Sequence, residues 1–217
     1  MITHESSLDN FTEQFDFVLD KYTSHGLNTN QFDNIIMGGL GGSGIGAVLA
    51  KNWFFDKCPI PIETIADYHL PKFASKKSLV ILNSYSGNTE ETLQLFEEAN
   101  TLGCPMIIMT GGGKLKELAT QNNLKTYDLK SGYQPRMTVG QGLGFISMIF
   151  GELLGEDHQP IIQDIRDYFE ENRDRQKQSG EQIFNFFKNT IRKKFVIVAD
   201  REFAPVAVRF TQQLQEN

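Results

Sequence analysis

The sequence predicts an α/β fold, a three-layer domain in which a parallel sheet is flanked by helices. Short apolar runs typical of buried strands alternate along the chain with stretches of helical periodicity, which is the order of a parallel sheet. Turns rich in glycine and hydroxyl side chains follow two of these runs. The 217 residues include 40% hydrophobic and 22% charged ones, a balance that suits a globular protein with a buried core.

Each element follows from periodicity and from the residues that interrupt it. Apolar residues at helical spacing between Leu8 and Tyr22 predict an N-terminal amphipathic helix. The apolar runs predict strands at residues 33–37, 63–65, 79–82, 105–110 and 125–129. Further helices are predicted up to residue 54 and at residues 89–101, 115–120 and 139–154.

The helix predicted at residues 139–154 is apolar and contains four glycines, Gly140, Gly142, Gly144 and Gly151. A glycine inside a helix costs up to about 1 kcal/mol relative to alanine. We therefore expect these glycines to permit close packing, either within the domain or against another subunit.

The pattern of elements changes after residue 155. Residues 1–155 are predicted to form a first domain, and the polar residues 156–193 a helical connecting segment broken at Gly180. The apolar run 195–199 predicts a new strand, which a turn and a helix from Ala204 follow. Because this order repeats that of residues 35–53, residues 194–217 are predicted to begin a second domain. We expect the chain to be a fragment of a longer protein.

Charge and cysteine content exclude several classes of protein. The net charge of −6 lacks the basic footprint that nucleic acid demands. No apolar run approaches the ~20 residues needed to cross a membrane, and residues 1–10 are polar, without the apolar core of a signal sequence. Cys58 and Cys104 are too few for a disulfide framework or a metal site, so we expect both to be reduced and buried in a cytoplasmic protein.

The turn after the first strand is rich in glycine. From Gly39 to Gly44 it matches the Gly-x-Gly-x-x-Gly pattern of dinucleotide sites, for which Glu63 or Asp67 would be the acidic residue. We favour a sugar phosphate, because Ser43 adds a hydroxyl and a second hydroxyl-rich turn is predicted at the same edge of the sheet. The alternative is a tight turn in which the glycines serve packing only.

The second turn, Ser84-Tyr85-Ser86-Gly87-Asn88-Thr89, lies between the third strand and a helix. A helix start offers unpaired N–H groups and the positive end of the helix dipole, and the added hydroxyls make this turn a candidate phosphate cradle. Asn88 and Glu91 have the spacing of a capping box, which would satisfy the helix end without a ligand. That pairing leaves the three hydroxyls of the turn for a phosphate.

Together, the two turns resemble those of the sugar isomerase (SIS) domain family. Within that family, Tyr133-Gln134-Pro135-Arg136 and Gln213-Leu214-Gln215-Glu216-Asn217 are similar to the bifunctional phosphoglucose/phosphomannose isomerases. The resemblance covers the whole chain in order. It implies that a sugar phosphate is bound by Gly42, Ser43, Ser84, Ser86 and Thr89, and by Arg136.

The resemblance further implies an isomerase that interconverts glucose 6-phosphate or mannose 6-phosphate with fructose 6-phosphate through an enediolate. Arg136 is then also catalytic, since a guanidinium beside the C1 and C2 oxygens stabilises the developing negative charge. Glu216 is the catalytic base that carries the proton between C2 and C1. The resemblance implies a homodimer, with no metal and no cofactor. The histidine and lysine that assist the family's reaction match nothing in this chain.

Two other functions stay open from the sequence. A non-catalytic, regulatory phosphosugar-binding module needs the hydroxyl-rich turns but neither Arg136 nor Glu216. An aminosugar isomerase is the weaker option, because it needs a partner domain that delivers nitrogen.

Overall fold

The computed structural model describes residues 2–188 and 196–216, with the side chain of Glu216 outside that description. The strands in these residues are β1 (Asn34–Gly38), β2 (Ile62–Ile65), β3 (Ser78–Ser84), β4 (Met106–Thr110) and β5 (Lys125–Asp128). The α-helices are α1 (His4–Asp9), α2 (Glu13–Lys21), α3 (Gly41–Trp53), α4 (Glu90–Leu102), α5 (Gly113–Gln121), α6 (Val139–Leu154), α7 (Gln159–Glu171), α8 (Arg173–Phe187) and α9 (Ala204–Glu216). Within the described ranges, no helix is long and apolar enough to span a bilayer.

The strands form one parallel sheet in the order β2-β1-β3-β4-β5, which confirms the predicted α/β fold. The order reverses at β1, because β2 pairs with one side of that strand and β3 with the other. Ligands of open α/β sheets bind outside the carboxyl ends of the strands at such a switch point. The turns after β1 and β3 therefore lie side by side where ligands of this fold class bind.

Two apolar layers cover the faces of the sheet, because successive strand residues point to opposite sides. On one face, Ile35 of β1 belongs to a core with buried residues of α2, α3 and α6. On the other face, Ile36 belongs to a core with buried residues of α4 and α5. The sheet and these two sets of helices are the three predicted layers.

The glycines of α6 permit close packing, as predicted. A Cβ built on Gly140 would lie 3.0 Å from Oε1 of Gln14, and one built on Gly144 would lie 3.0 Å from Cγ2 of Val18. Both neighbours belong to α2. The sequence left open whether these glycines pack within the chain or against another subunit. The structure shows packing of Gly140 and Gly144 within the chain, against α2.

Four details differ from the sequence prediction. The N-terminal stretch forms two helices instead of one, because residues 10–12 form a turn between α1 and α2. Gly180 lies inside α8, where a solvent-exposed helix tolerates it, and the break falls at Asn172. Residues 196–199 form no strand, because no strand of the described residues pairs with them, and Phe195 lies outside the described residues. Cys104 is buried but Cys58 only half-buried, and both are free thiols.

The predicted connecting segment begins with a helix that packs on the first domain. Phe169 of α7 makes ring contacts with Phe11 and Phe15, and Arg166 pairs with Asp16 at 2.9 Å. In contrast, α8 contains no buried residue. The division of the chain into domains stays a prediction, and α7 contributes to the core beside α2.

One carboxylate ties the N-terminal residues to α6. Glu152 accepts hydrogen bonds from the hydroxyls of Tyr22 at 2.6 Å and Ser24 at 2.5 Å, and from the backbone N–H groups of His25 at 3.1 Å and Gly26 at 2.7 Å. Partial burial acts to raise the pKa of Glu152, but the bonds from Ser24, Tyr22 and the backbone outweigh it and hold that pKa at about 2. The carboxylate is therefore a stabilising contact of the fold.

We predict that Glu152→Gln lowers the free energy of unfolding by about 1–3 kcal/mol, because the amide nitrogen cannot accept and leaves partly buried donors unsatisfied. Urea denaturation measures the change, with Glu97→Gln on the exposed side of α4 as the control. The pKa of Glu152 lies below its ordinary value of 4.5, so its contribution is complete above pH 4.5 and is lost as the pH falls toward 2. The gap between the wild type and the variant should shrink over that pH window, and a constant gap would contradict the assignment.

Candidate functional site

Two turns meet at the switch point of the sheet. The glycine loop (residues 38–44) runs from the end of β1 into the first turn of α3, and the serine loop (residues 84–89) joins β3 to α4. The side-chain amide of Asn83 donates to the backbone oxygen of Ser43 at 2.9 Å, and the backbone N–H of Tyr85 donates to the Ser43 hydroxyl at 3.2 Å. The structure thus brings Ser43 beside the serine loop, as the sequence predicted.

Glycine is required where the glycine loop meets its neighbours. A Cβ on Gly39 would lie 2.7 Å from the backbone oxygen of Asn83, and one on Gly44 would lie 2.5 Å from the backbone oxygen of Gly39. Backbone atoms cannot move aside as a flexible side chain can. Close packing therefore accounts for glycine at these two positions, and it places Ser43 against β3.

The serine loop is braced from the β4 side. Gly87 has φ +68°, and a Cβ there would lie 1.7 Å from the backbone oxygen of Gly112. The side-chain oxygen of Asn88 accepts from the backbone N–H of Lys114, in the first turn of α5, at 2.9 Å. The predicted capping box of Asn88 and Glu91 is wrong, because Asn88 caps α5 and Thr89 is the N-cap of α4 without a side-chain capping bond.

The hydroxyls of both loops are arranged as donors. The Ser86 hydroxyl oxygen accepts from the backbone N–H of Asn88 at 3.3 Å, just as that of Ser43 accepts from Tyr85. Because a hydroxyl has one hydrogen to donate, each of these two keeps that hydrogen for another acceptor. The loops therefore present hydrogen-bond donors, which an anion requires.

Ser84, the first residue of the serine loop, is buried beneath the rest of the loop and contacts Thr89. Ser84 is only 1% exposed. Its hydroxyl lies 2.9 Å from the hydroxyl of Thr89, which is half-buried. The backbone N–H of Gly87 also donates to the Ser84 hydroxyl, at 3.2 Å. When Ser84 donates to Thr89, the Thr89 hydroxyl keeps its own hydrogen for another acceptor.

Arg136 lies in the short 3-10 helix Pro135–Met137, which packs on the glycine loop. A Cβ on Gly42 would lie 2.8 Å from the backbone oxygen of Pro135 and 3.2 Å from Cα of Arg136. Nε of Arg136 is buried and has no hydrogen-bond partner among the residues that the structure describes. The glycine at position 42 thus allows the arginine-bearing turn to approach the loop.

Helix α9 contacts the same turn. The backbone oxygen of Arg136 accepts from the side-chain amide of Gln213 at 3.3 Å and from the guanidinium of Arg209. Gln212 lines a cavity of about 160 Å³ together with residues of the glycine loop. Glu216 lies one helical turn beyond these glutamines, on the same face of α9. Its side chain and Asn217 lie outside the described part of the chain.

Tyr85 connects the serine loop to the segment before Arg136, a role that sequence analysis missed. Its hydroxyl accepts from the backbone N–H of Tyr133 at 3.0 Å and donates to the backbone oxygen of Lys130 at 3.2 Å. The only sequence signal was an aromatic residue between two serines.

Glu63, one of the two acidic residues considered for a dinucleotide, pairs with Lys51 at 3.0 Å.

Comparisons with known proteins agree with the motifs. No protein-family model matches the chain. A bifunctional phosphoglucose/phosphomannose isomerase from Caldicellulosiruptor bescii is 37% identical over 167 residues, which are 76% of this chain and 48% of that protein. Its namesake from Aquifex aeolicus is 36% identical over 190 residues, or 86% of this chain and 56% of that protein. The chain thus spans about half the length of these curated relatives.

Among solved structures, the C-terminal domain of glucosamine-fructose-6-phosphate aminotransferase from Francisella tularensis is similar in fold. The TM-score is 0.72 at 14% identity, and the match covers 98% of this chain and 66% of that one. At this level of identity the likeness shows the fold alone. The resemblance that the sequence motifs indicate is confirmed by the alignments with the two bifunctional phosphoglucose/phosphomannose isomerases.

We predict that Gly42→Ala lowers the free energy of unfolding by about 1–3 kcal/mol, because the new methyl group meets the backbone of the Pro135–Met137 turn. Thermal denaturation measures the change. Gly180→Ala is the matched control, since a Cβ there meets no atom within 4 Å in an exposed helix, and should raise stability by up to about 1 kcal/mol. Equal midpoints for Gly42→Ala and the wild type would contradict the tight contact.

Proposed function

We propose, on the premise that the chain is a relative of the bifunctional phosphoglucose/phosphomannose isomerases, that it belongs to an aldose–ketose isomerase. The substrates are glucose 6-phosphate or mannose 6-phosphate and fructose 6-phosphate, and the proposed reaction passes through an enediolate without a metal. The observation that supports this most is the meeting of two donor-bearing loops at the switch point, with the Arg136 turn packed on one of them. A phosphate and a reacting carbon chain need both features at one place.

The phosphate is proposed to bind between the glycine loop and the serine loop. Ser43, Ser86 and Thr89 would each donate a hydroxyl hydrogen to a phosphate oxygen. Ser43 lies in the first turn of α3 and Thr89 is the N-cap of α4, so the positive ends of two helix dipoles add to the attraction. This local field would hold an anion although the chain carries a net charge of −6.

Ser84 would contribute through Thr89 instead of binding the phosphate itself. At 1% exposure it is covered by the loop, and the 2.9 Å contact between the two hydroxyls lets it fix the direction of the Thr89 hydrogen. The sequence prediction of Ser84 as a substrate-binding residue becomes, in this proposal, a positioning role.

Arg136 is proposed to stabilise the enediolate and Glu216 to move the proton between C2 and C1. A buried N–H without an acceptor costs about 1–3 kcal/mol, which a ligand oxygen would recover, and Nε of Arg136 is such a group among the described residues. Contact between α9 and the Arg136 backbone supports a shared location for the two residues. The proposal includes a cytoplasmic homodimer that needs no cofactor.

We predict that fructose 6-phosphate raises the melting temperature and that Ser86→Ala with Thr89→Ala abolishes the shift, because the double variant removes two of the three proposed donors. Differential scanning fluorimetry measures both. Thr101→Ala at the far end of α4 is the control, since its hydroxyl donates within the helix to the backbone oxygen of Glu97, away from both loops. An undiminished shift in the double variant would rule out phosphate binding at the serine loop.

In the full-length protein, Arg136→Ala and Glu216→Gln should each lower kcat for glucose 6-phosphate isomerisation by about 10²–10⁴-fold, because the first removes charge stabilisation and the second removes the base. A coupled assay measures turnover. Arg173→Ala and Glu117→Gln are exposed controls that should keep wild-type rates, and a chelator should have no effect. Sugar phosphate binding with no turnover in the wild type would favour the non-catalytic module, and full turnover in both variants would refute their roles.

A further inference from the structure

Asn83 is a polar residue on a strand face where the preceding residues, Leu79 and Ile81, are aliphatic. It lies in the central strand β3 and is 5% exposed. Leu79 and Ile81, which point to the same face of β3 as Asn83, are buried in the core beside α3 and α6. A buried amide costs free energy unless its polar atoms are hydrogen-bonded. The presence of the amide therefore needs a reason other than packing.

The amide bonds to one group only among the described residues, the backbone oxygen of Ser43, at 2.9 Å. Because a carbonyl oxygen can only accept, the atom that faces it is the amide nitrogen. Oδ1 of Asn83 is buried and has no partner in the described part of the chain. The amide thus retains an unsatisfied oxygen, and its contact with Ser43 is the interaction that it supplies.

Ser43 is held from two sides as a result. Asn83 fixes its backbone and the N–H of Tyr85 fixes its hydroxyl oxygen. The two residues flank Ser84 in sequence, so one short stretch of β3 and the serine loop sets both the position of Ser43 and the direction left for its hydroxyl hydrogen. A donor aimed in advance loses less entropy on binding.

We propose that Asn83 is a positioning residue of the ligand site and that it acts through Ser43. It does not stabilise the fold relative to an aliphatic residue at the same position. This inference rests on the function proposed above, since Ser43 is there a phosphate donor. Two consequences separate it from a structural role. An aliphatic replacement weakens binding without lowering stability, and its effect on binding vanishes when Ser43 has no hydroxyl.

The test is isothermal titration calorimetry with fructose 6-phosphate on Asn83→Leu, Ser43→Ala, the double variant and the wild type. Asn83→Leu should bind about tenfold more weakly, the effect of one lost hydrogen bond, while its melting temperature without ligand stays at or above that of the wild type. In the Ser43→Ala background, Asn83→Leu should cause no further loss, since residues that act through one another are not additive. Thr92→Val is the control, because it removes a fully buried hydroxyl of α4 that has no partner among the described residues and no part in the proposed site.

Asn83→Asp provides a second route should the leucine variant fail to fold. Its carboxylate would face the Ser43 backbone oxygen and repel it, whereas the protonated acid could donate to that oxygen. We therefore compare the affinity of Asn83→Asp with that of the wild type at each pH. The ratio of the two affinities should rise toward one as the pH falls, and the titration of the phosphate, which affects both proteins, cancels from it.

Several outcomes overturn the inference. Wild-type affinity in Asn83→Leu, equal losses in the presence and absence of the Ser43 hydroxyl, or a pH-independent deficit in Asn83→Asp would each exclude positioning through Ser43 while leaving the proposed function standing. No binding of fructose 6-phosphate by the wild type would instead overturn the proposed function and the inference with it.

Discussion

The site depends on the contact between the end of β3 and the glycine loop. Neighbouring parallel strands bring the two turns to one edge of the sheet, but only glycine at position 39 allows the backbone of the glycine loop to approach that of β3 as closely as it does. That approach puts Ser43 within hydrogen-bond distance of Asn83 and Tyr85. A side chain at Gly39 would push the glycine loop away from β3, and one at Gly44 would distort the glycine loop itself.

The remaining parts of the site are built outward from this contact. Gly42 admits the Pro135–Met137 turn, and Tyr85 links the serine loop to the segment that leads into it. Gln213 of α9 then bonds to the Arg136 backbone. Each layer relies on the one before it, so the arginine and the helix that carries Glu216 are positioned by short-range contacts that begin at the glycine loop.

Much of this arrangement could be predicted from the sequence, because it follows from local patterns. Apolar runs located both ends of each of the five strands to within two residues, and α6 was predicted with its observed bounds. The position of the glycine loop and the serine loop at one edge of the sheet follows from the parallel arrangement of their strands. The glycines and hydroxyls of each loop lie within a single short segment, so a local pattern is enough to find them.

The errors arise where a distant residue competes for a local group. Asn88 has the spacing of a capping box, yet it bonds to Lys114, which is 26 residues away and comes near only when β4 and α5 have packed. Residues 196–199 are apolar enough for a strand but have no neighbouring strand in the described residues. The bond from Asn83 to Ser43 likewise joins residues 40 apart, and nothing local in the sequence announces it.

A crystal structure of the protein with fructose 6-phosphate tests the phosphate site most directly. The proposed function requires phosphate oxygens within about 3 Å of the hydroxyls of Ser43, Ser86 and Thr89. A sugar phosphate bound away from both loops, or bound there by other groups with these hydroxyls unengaged, would contradict it.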